Sequence, residues 1–415
     1  MDFRHSARSM ALQEQVQIFL DEHIYPAETE FEHQVEANRA VGQPFRTPAV
    51  LGGLIQAARH QGLWNLFLPD KRYGAGLSVL DYAPIAELTG RSIGLAPEVM
   101  NSAAPDSGNM ELLAMFANEE QEQQWLEPLL RGEIRSCFSM TEPTVASSDA
   151  TNISATITQD GDDYVVNGRK WWSSGAMRPE CTVALMMGVS DPDAERHRRH
   201  SMILIPLRTQ GVTIHRSTTV FGYDDGPHGG HAVIDFDDVR LPAGALLGPR
   251  GGGFMMAQAR LGPGRIHHCM RAIGLAERAL ELMCARAASR STFGKPLSDQ
   301  GVVGEWIAES RLAIEQARLL VLKTAWLIDT VGAKGARTEI AAIKVAAPRA
   351  ALFVLDKAIQ LHGAAGVSGD LPLAGWWAML RSLRLADGPD EVHLRSVARE
   401  QLRANANRAN RGESQ

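Results

Sequence analysis

Ile153-Ser-Ala-Thr-Ile-Thr-Gln-Asp-Gly-Asp-Asp-Tyr-Val-Val-Asn-Gly168 is the stretch on which the fold turns. Residues Ile153 to Thr158 alternate apolar with polar, as a half-buried strand requires, and Asp160 to Asp163 read as a hairpin turn leading into Tyr164-Val165-Val166. Further strands are expected at Thr182 to Met187, Ser201 to Leu207, Val212 to His215 and Ala232 to Phe236. Outward from this block the period changes. Before it, Leu12, Val16, Phe19 and Leu20, then Leu54, Ala57 and Ala58, then Leu112, Leu113 and Phe116 recur at helical spacing. After Leu241-Pro242 the helical period returns in long, nearly unbroken runs, Phe254 to Ser289, Val302 to Val331 and Glu339 to His362, which suit a helix bundle. The expected class is α+β multidomain: an N-terminal helical domain (1–134), a middle antiparallel β-domain (135–245) and a C-terminal four-helix-type bundle (246–415).

Composition bounds the chemistry. With 415 residues, 45% of them hydrophobic and 22% charged, the chain can bury two or three domain cores. A net charge of −6 disfavours nucleic acid or an anionic membrane as the main partner. Cys137, Cys181, Cys269 and Cys284 lack short spacings, which predicts buried free thiols in a reducing compartment. No apolar run approaches the roughly 18 residues that span a bilayer, and neither terminus reads as a targeting signal. A cytoplasmic protein without membrane insertion is expected.

Three segments carry chemistry. In Ala386-Asp-Gly-Pro-Asp-Glu-Val-His393, Gly388-Pro389 should stop one helix and Asp390 can cap the next, so Asp387 sits at a helix junction, either as a turn residue or as an inward-facing carboxylate. Ser139-Met-Thr-Glu-Pro-Thr-Val-Ala-Ser-Ser-Asp149 offers hydroxyls and exposed main-chain N–H groups at a strand end, a ledge for a flat phosphorylated ligand or an ordinary loop. Asn167-Gly-Arg-Lys-Trp-Trp-Ser-Ser-Gly-Ala176 sets two tryptophans beside two serines. That arrangement can sandwich a ring system and bond its edge, although core packing accounts for one of the tryptophans.

These segments, with Leu261-Gly-Pro-Gly-Arg265, Arg290-Ser-Thr-Phe-Gly-Lys-Pro-Leu297 and Gln360-Leu-His-Gly-Ala-Ala-Gly366, occur in the order found in acyl-CoA dehydrogenases. The sequence resembles most the branch containing family members ten and eleven. The resemblance implies an FAD enzyme that converts a fatty-acyl-CoA to its trans-2-enoyl thioester. Asp387 stands at the position of the base that removes the α-proton, where many relatives carry glutamate. Met140, Thr141, Ser148, Trp172 and Ser174 match flavin-contacting positions. Arg290, Phe293, Gln300, Gln360 and Gly363 match positions that hold a neighbouring subunit's FAD, which implies a homotetramer built as a dimer of dimers. Arg265, His267, His268 and Gly388 match substrate-facing positions, with one histidine expected in the core or, alternatively, a polar acyl pocket for a chain bearing a hydroxyl or phosphate; long, branched or 4-hydroxy/phospho-acyl chains are the expected substrates. Electron-transfer flavoprotein is the acceptor the resemblance implies.

The chemistry asks for the same parts. A thioester α-proton is so weakly acidic that the base must be close and partly desolvated, with donors at the carbonyl oxygen. Two other readings stand beside it: a flavin oxidase of the same fold that uses oxygen, and a DNA-binding relative using Arg395, Arg399, Arg403, Arg408 and Arg411. The pairs His197/His200 and His228/His231 have metal-like spacing but lie in loops with no evident acidic third ligand, so no metal site is expected.

Overall fold

The computed structural model describes residues 4–410; within these, the side chains of Pro263 and of the last three residues are not described. Arg408 and Arg411, two of the five arginines of the DNA-binding reading, therefore lie outside what can be described. The chain divides into two compact units.

The first unit comprises residues 21–76 and 97–264. Its centre is a mixed sheet of β1 (Arg135–Ser139), β2 (Thr156–Asp160), β3 (Asp163–Ser174), β4 (Cys181–Val189), β5 (His200–Pro206), β6 (Val212–Thr218), β7 (His231–Pro242) and β8 (Leu246–Leu247). The path runs β6-β7-β3-β2-β4-β5-β8, with β1 beside β4. The hairpin expected at Asp160–Asp163 is present as the β2–β3 turn, in which Asp160 pairs with Asp163 across Gly161 (φ 63°) and Asp162. The sheet departs from a purely antiparallel one at β1, which runs parallel to β4, and at a single parallel bridge between β2 and β4. Its core is formed by Ile157, Val166, Ala184, Met186, Ile203, Ile205, Ile234 and Phe236, the inward members of the alternating strands. Helices Tyr25–Ala40, Val50–His60 and Asp106–Phe116 complete the unit.

The second unit comprises residues up to 20, 77–96 and from 265 onward. It contains Ala7–Phe19, Val79–Gly90, the helix Gly253–Ser289 from Arg265 on, Gly301–Gly335, Arg337–His362, Leu373–Leu383 and Asp390–Asn410. The run expected to end at Val331 is continued across a break at Gly332 (φ 74°, ψ 164°). Two helices meet at glycines: a Cβ at Gly274 would collide with the main chain of Glu87, and one at Gly90 with that of Arg271. Helices Val79–Gly90 and Gly253–Ser289 therefore pack backbone to backbone, closer than side chains would allow.

All four cysteines are free, but Cys284 is exposed, contrary to the expectation that all are buried. Among the described residues no helix is long and apolar enough to cross a membrane. On the C-terminal helix Glu400 accepts from Arg337 at 2.9 Å and from Arg403 at 3.0 Å, so part of the arginine row is neutralised by an acid in its midst.

Candidate active site

The helix–turn–helix around Asp387 is built by its main chain. Leu373–Leu383 ends, and Asp387 then takes a left-handed conformation (φ 54°) followed by Gly388 (φ 102°). Such a φ on a non-glycine residue costs on the order of 1–3 kcal/mol and must be held from outside. Two donors hold it. Arg265 Nε donates to the Asp387 carbonyl at 3.0 Å, and His393 Nε2 lies 3.2 Å from the same oxygen. A carbonyl only accepts, so Nε2 carries the His393 proton. Together one charge-assisted and one neutral hydrogen bond contribute on the order of 2–4 kcal/mol, enough to offset the strain. Burial, with Arg265 and Lys344 nearby, pulls His393 down to about 4, which keeps the ring neutral. Burial also lowers Arg265, and Asp387 acts in the opposite direction.

The Asp387 side chain is 19% exposed, with His268 Nε2 at 3.7 Å from its Oδ2. His267 turns the other way: its ring meets Tyr82 edge-on at 5.1 Å, and burial drops it to about 3. Successive helical residues point about 100° apart, so anchoring His267 in the core directs His268 toward the carboxylate. The pair thus divides into one core histidine and one beside the acid. Asp390 does not cap the following helix as expected. It is the first residue of that helix, and its buried carboxylate pairs with Arg384 at 2.7 Å and Arg349 at 3.1 Å, because two guanidiniums satisfy a desolvated charge better than main-chain N–H groups alone.

In the same unit, Arg290 and Phe293 lie on the short hairpin Ser291–Thr292/Lys295–Pro296, where Phe293 (φ 48°) is 96% exposed. Gln300 precedes the helix Gly301–Gly335, and Gln360 and Gly363 (φ 64°) lie at the exposed end of Arg337–His362. None of these five belongs to the Asp387 cluster.

In the sheet unit, Met140 and Thr141 follow β1, and their carbonyls accept from Lys170 Nζ (3.0 Å) and Trp171 N (3.0 Å). Lys170 is fully buried, bonded also to Glu142 at 2.8 Å and the Met187 carbonyl at 2.7 Å; burial lowers it to about 8 against the pull of Glu142. Lys170 and Glu142 form a buried ion pair that ties the segment after β1 to β3 and β4, a contact the sequence analysis does not name; a lysine opposite a strand-end glutamate was the available signal. The strand bulges between Lys170 and Ser173, with Trp172 at φ 54°. This breaks the alternation of faces, leaving Trp172 36% exposed and Trp171 half-buried, the rings 6.2 Å apart. Ser174 Oγ lies 2.9 Å from His231 Nδ1, and Ser148 is exposed on the loop after Met140. Trp171 Nε1 is buried with no hydrogen-bond partner. An exposed indole face, hydroxyl groups at Thr141, Ser148 and Ser174, and an unsatisfied indole N–H form a polar set that fits a flat heteroaromatic ring with a phosphorylated tail.

The pair His228/His231 does have an acid beside it, contrary to the sequence reading: Asp225 lies 2.8 Å from His228 Nδ1 and 3.7 Å from His231 Nε2. Of the other pair, His200 is buried in β5 and His197 packs on Phe254, ring centroids 4.5 Å apart.

Sequence models of the acyl-CoA dehydrogenase N-terminal, middle and C-terminal domains match residues 6–133, 137–239 and 251–402. The chain belongs to the acyl-CoA dehydrogenase family. It is 55% identical to the Mycobacterium tuberculosis (strain ATCC 25618 / H37Rv) protein named "Probable acyl-CoA dehydrogenase FadE2", over 97% of both chains. It is 53% identical to acyl-CoA dehydrogenase family member 11 of Mus musculus, over 98% of this chain and 52% of that protein, so it spans about half the length of such animal relatives. A solved structure described as "a putative acyl-CoA dehydrogenase from Mycobacterium abscessus" shares 52% identity and a TM-score of 0.94, covering 97% of this chain and all of that one. Acyl-CoA dehydrogenases share the order seen here, helical, β-sheet, helical.

Proposed function

We propose that the chain oxidises an acyl-CoA thioester to the trans-2-enoyl-CoA. The observation that carries the reading is Asp387: a partly buried carboxylate on a left-handed residue whose carbonyl is pinned by Arg265 and His393. Pinning the carbonyl fixes where the one-methylene side chain reaches, and partial burial suits a carboxylate that must take a weakly acidic proton. Asp387 Oδ receives the α-proton, the Gly388 turn brings main chain close to the thioester, and His268 faces the acyl chain near the base. Arg265 acts through the Asp387 main chain rather than by meeting the CoA phosphates.

The cofactor is FAD, which when bound accepts the β-hydride. Trp172 offers its face to the ring, Ser174 and Thr141 its polar edge, and Met140 and Ser148 the ledge beneath it. Arg290, Phe293, Gln360 and Gly363 are exposed in the single chain, Gln300 is partly buried with an unpartnered amide nitrogen, and the five serve the FAD of a neighbouring subunit in a homotetramer. A phenylalanine exposed this completely on a hairpin supports an intersubunit role. The domain limits 1–134, 135–245 and 246–415 belong to the same proposal, as does a cytoplasmic setting, which four free thiols support.

The test is anaerobic mixing of the FAD-loaded protein with straight, 2-methyl, 4-hydroxy and 4-phosphorylated acyl-CoA thioesters. A substrate bleaches the flavin within turnover time. Reoxidation by electron-transfer flavoprotein but only slowly by air identifies a dehydrogenase; rapid reoxidation by air identifies the oxidase. No bleaching by any thioester overturns the proposal.

A further inference from the structure

Behind Trp172 and Ser174 lies a chain of hydrogen-bonding groups that the proposed reaction does not use. Ser174 ends β3 and His231 begins β7, paired across the sheet, and Ser174 Oγ is 2.9 Å from His231 Nδ1. The imidazole also packs on Trp172, centroids 5.0 Å apart and tilted by 43°. On its far side, Nε2 faces Asp225 Oδ2 at 3.7 Å. One histidine thus touches both residues assigned to the flavin and is addressed by a carboxylate from behind.

The arrangement is built rather than incidental. His231 N donates to Ser217 Oγ at 2.7 Å, and Thr218 Oγ1 donates to the His231 carbonyl at 3.0 Å. The preceding loop is clamped: Arg39 grips Asp224 through two bonds of 2.9 and 2.7 Å, and Gly230 N donates to the Asp225 carbonyl at 3.0 Å. Gly229 (φ 81°) and Gly230 (φ 56°) pass so close to Gly175 and Phe45 that a Cβ at either would collide. Asp225, itself left-handed at φ 51°, is aimed at His228 and His231 together. Burial lowers His231, and neighbouring His228 adds to this while Asp225 opposes it, so the ring is neutral and has one proton to place.

We propose that His231 is a positioning residue for the flavin: the charge of the Asp225 carboxylate facing Nε2 at 3.7 Å favours the proton on that nitrogen, so that Nδ1 accepts the Ser174 hydroxyl proton and Ser174 turns a lone pair toward the ring edge. The inference rests on the reading that Ser174 and Trp172 contact the flavin. A carboxylate facing Nε2 favours the proton on that nitrogen, leaving Nδ1 able only to accept. Ser174 then donates inward and has only acceptor capacity left for a ligand. An acceptor at that edge favours a ring bearing an N–H, the form a flavin takes on gaining two electrons, over the ring whose nitrogen is itself an acceptor.

The test compares flavin absorption and midpoint potential in the FAD-loaded wild type and in His231→Leu, His231→Gln, His231→Asn and Ser174→Ala. Asparagine places an amide oxygen near Nδ1 and restores the acceptor, whereas glutamine reaches toward Nε2 and leucine offers neither. Expected are a more negative potential and a shifted flavin band in His231→Leu, His231→Gln and Ser174→Ala, with His231→Asn returning close to wild type. His231→Asn behaving like His231→Leu reduces the histidine to ring packing and overturns the proposal, as does a wild-type potential in both His231→Leu and His231→Gln while Ser174→Ala moves. No change in Ser174→Ala instead removes Ser174 from the flavin and refutes the reading beneath. Flavin content and melting temperature identify any variant that fails to fold, and His231→Asn against His231→Gln decides the matter if leucine does.

Discussion

In the proposed reaction the Asp387 side chain supplies the base, and the main chain decides where it points. Arg265 and His393 both spend their hydrogen bonds on its carbonyl. Removing the arginine frees the strained turn without touching the carboxylate. Arg265→Gln is therefore expected to keep its FAD and its fold while kcat falls roughly tenfold to a hundredfold, the range that about 1.5–3 kcal/mol of a charge-assisted bond implies; steady-state rates with a saturating acyl-CoA check this. Ala386–His393 alone leaves Asp387 as either a turn residue or a buried acid, and the acid becomes readable only through the other segments that carry the family resemblance. His393 lies in the same eight residues and was not read, since nothing in the spacing says that a histidine six positions on folds back to a carbonyl. The two histidines after Arg265 could be named but not told apart. Their division depends on Tyr82, more than 180 positions away, and only packing supplies that partner.

The element that sets this division is the helix pair Val79–Gly90 and Gly253–Ser289. Gly90 and Gly274 let the two main chains touch, and that approach brings Tyr82 to His267. Gly274→Ala puts a methyl against the Glu87 carbonyl, and overpacking of this kind costs about 1–3 kcal/mol. Its urea midpoint should fall with an unchanged slope, while Gly52→Ala, with open space at its Cβ, should not fall. Helices and strands were legible from periodicity because one buried face repeats at 3.6 or 2 residues. The parallel pairing of β1 with β4 was not, because alternation reports faces and is silent about direction. The bulge at Trp172 was hidden for a related reason: period-2 reading assigns one tryptophan to the core, and only the φ of 54° shows the strand breaking step to expose it.

For the whole molecule, charges of opposite tendency shape the pH response. Burial alone lowers His228, but Asp225 and Glu98 outweigh it and hold it at about 9, so its contribution is full below pH 6.5 and is lost as pH rises through 9. His267 and His393, held neutral at about 3 and about 4, act in the opposite sense: stability falls as pH drops from 6.5 toward those values. Urea midpoints should peak near pH 6.5, His228→Asn should flatten the alkaline side, and His267→Leu should flatten part of the acid side. The proposed tetramer makes a second prediction at this scale. Phe293→Ser is expected to leave melting of the chain nearly unchanged, yet to release FAD and yield smaller species in analytical ultracentrifugation; an intact tetramer with full flavin removes Phe293 from the subunit contact. The most direct measurement is stopped-flow absorbance of FAD-loaded Asp387→Asn mixed anaerobically with an acyl-CoA that bleaches the wild type. The account predicts normal flavin content, a thioester still bound, and reduction slowed by at least about a thousandfold, equivalent to roughly 4 kcal/mol of barrier; reduction at the wild-type rate would mean that another group takes the α-proton.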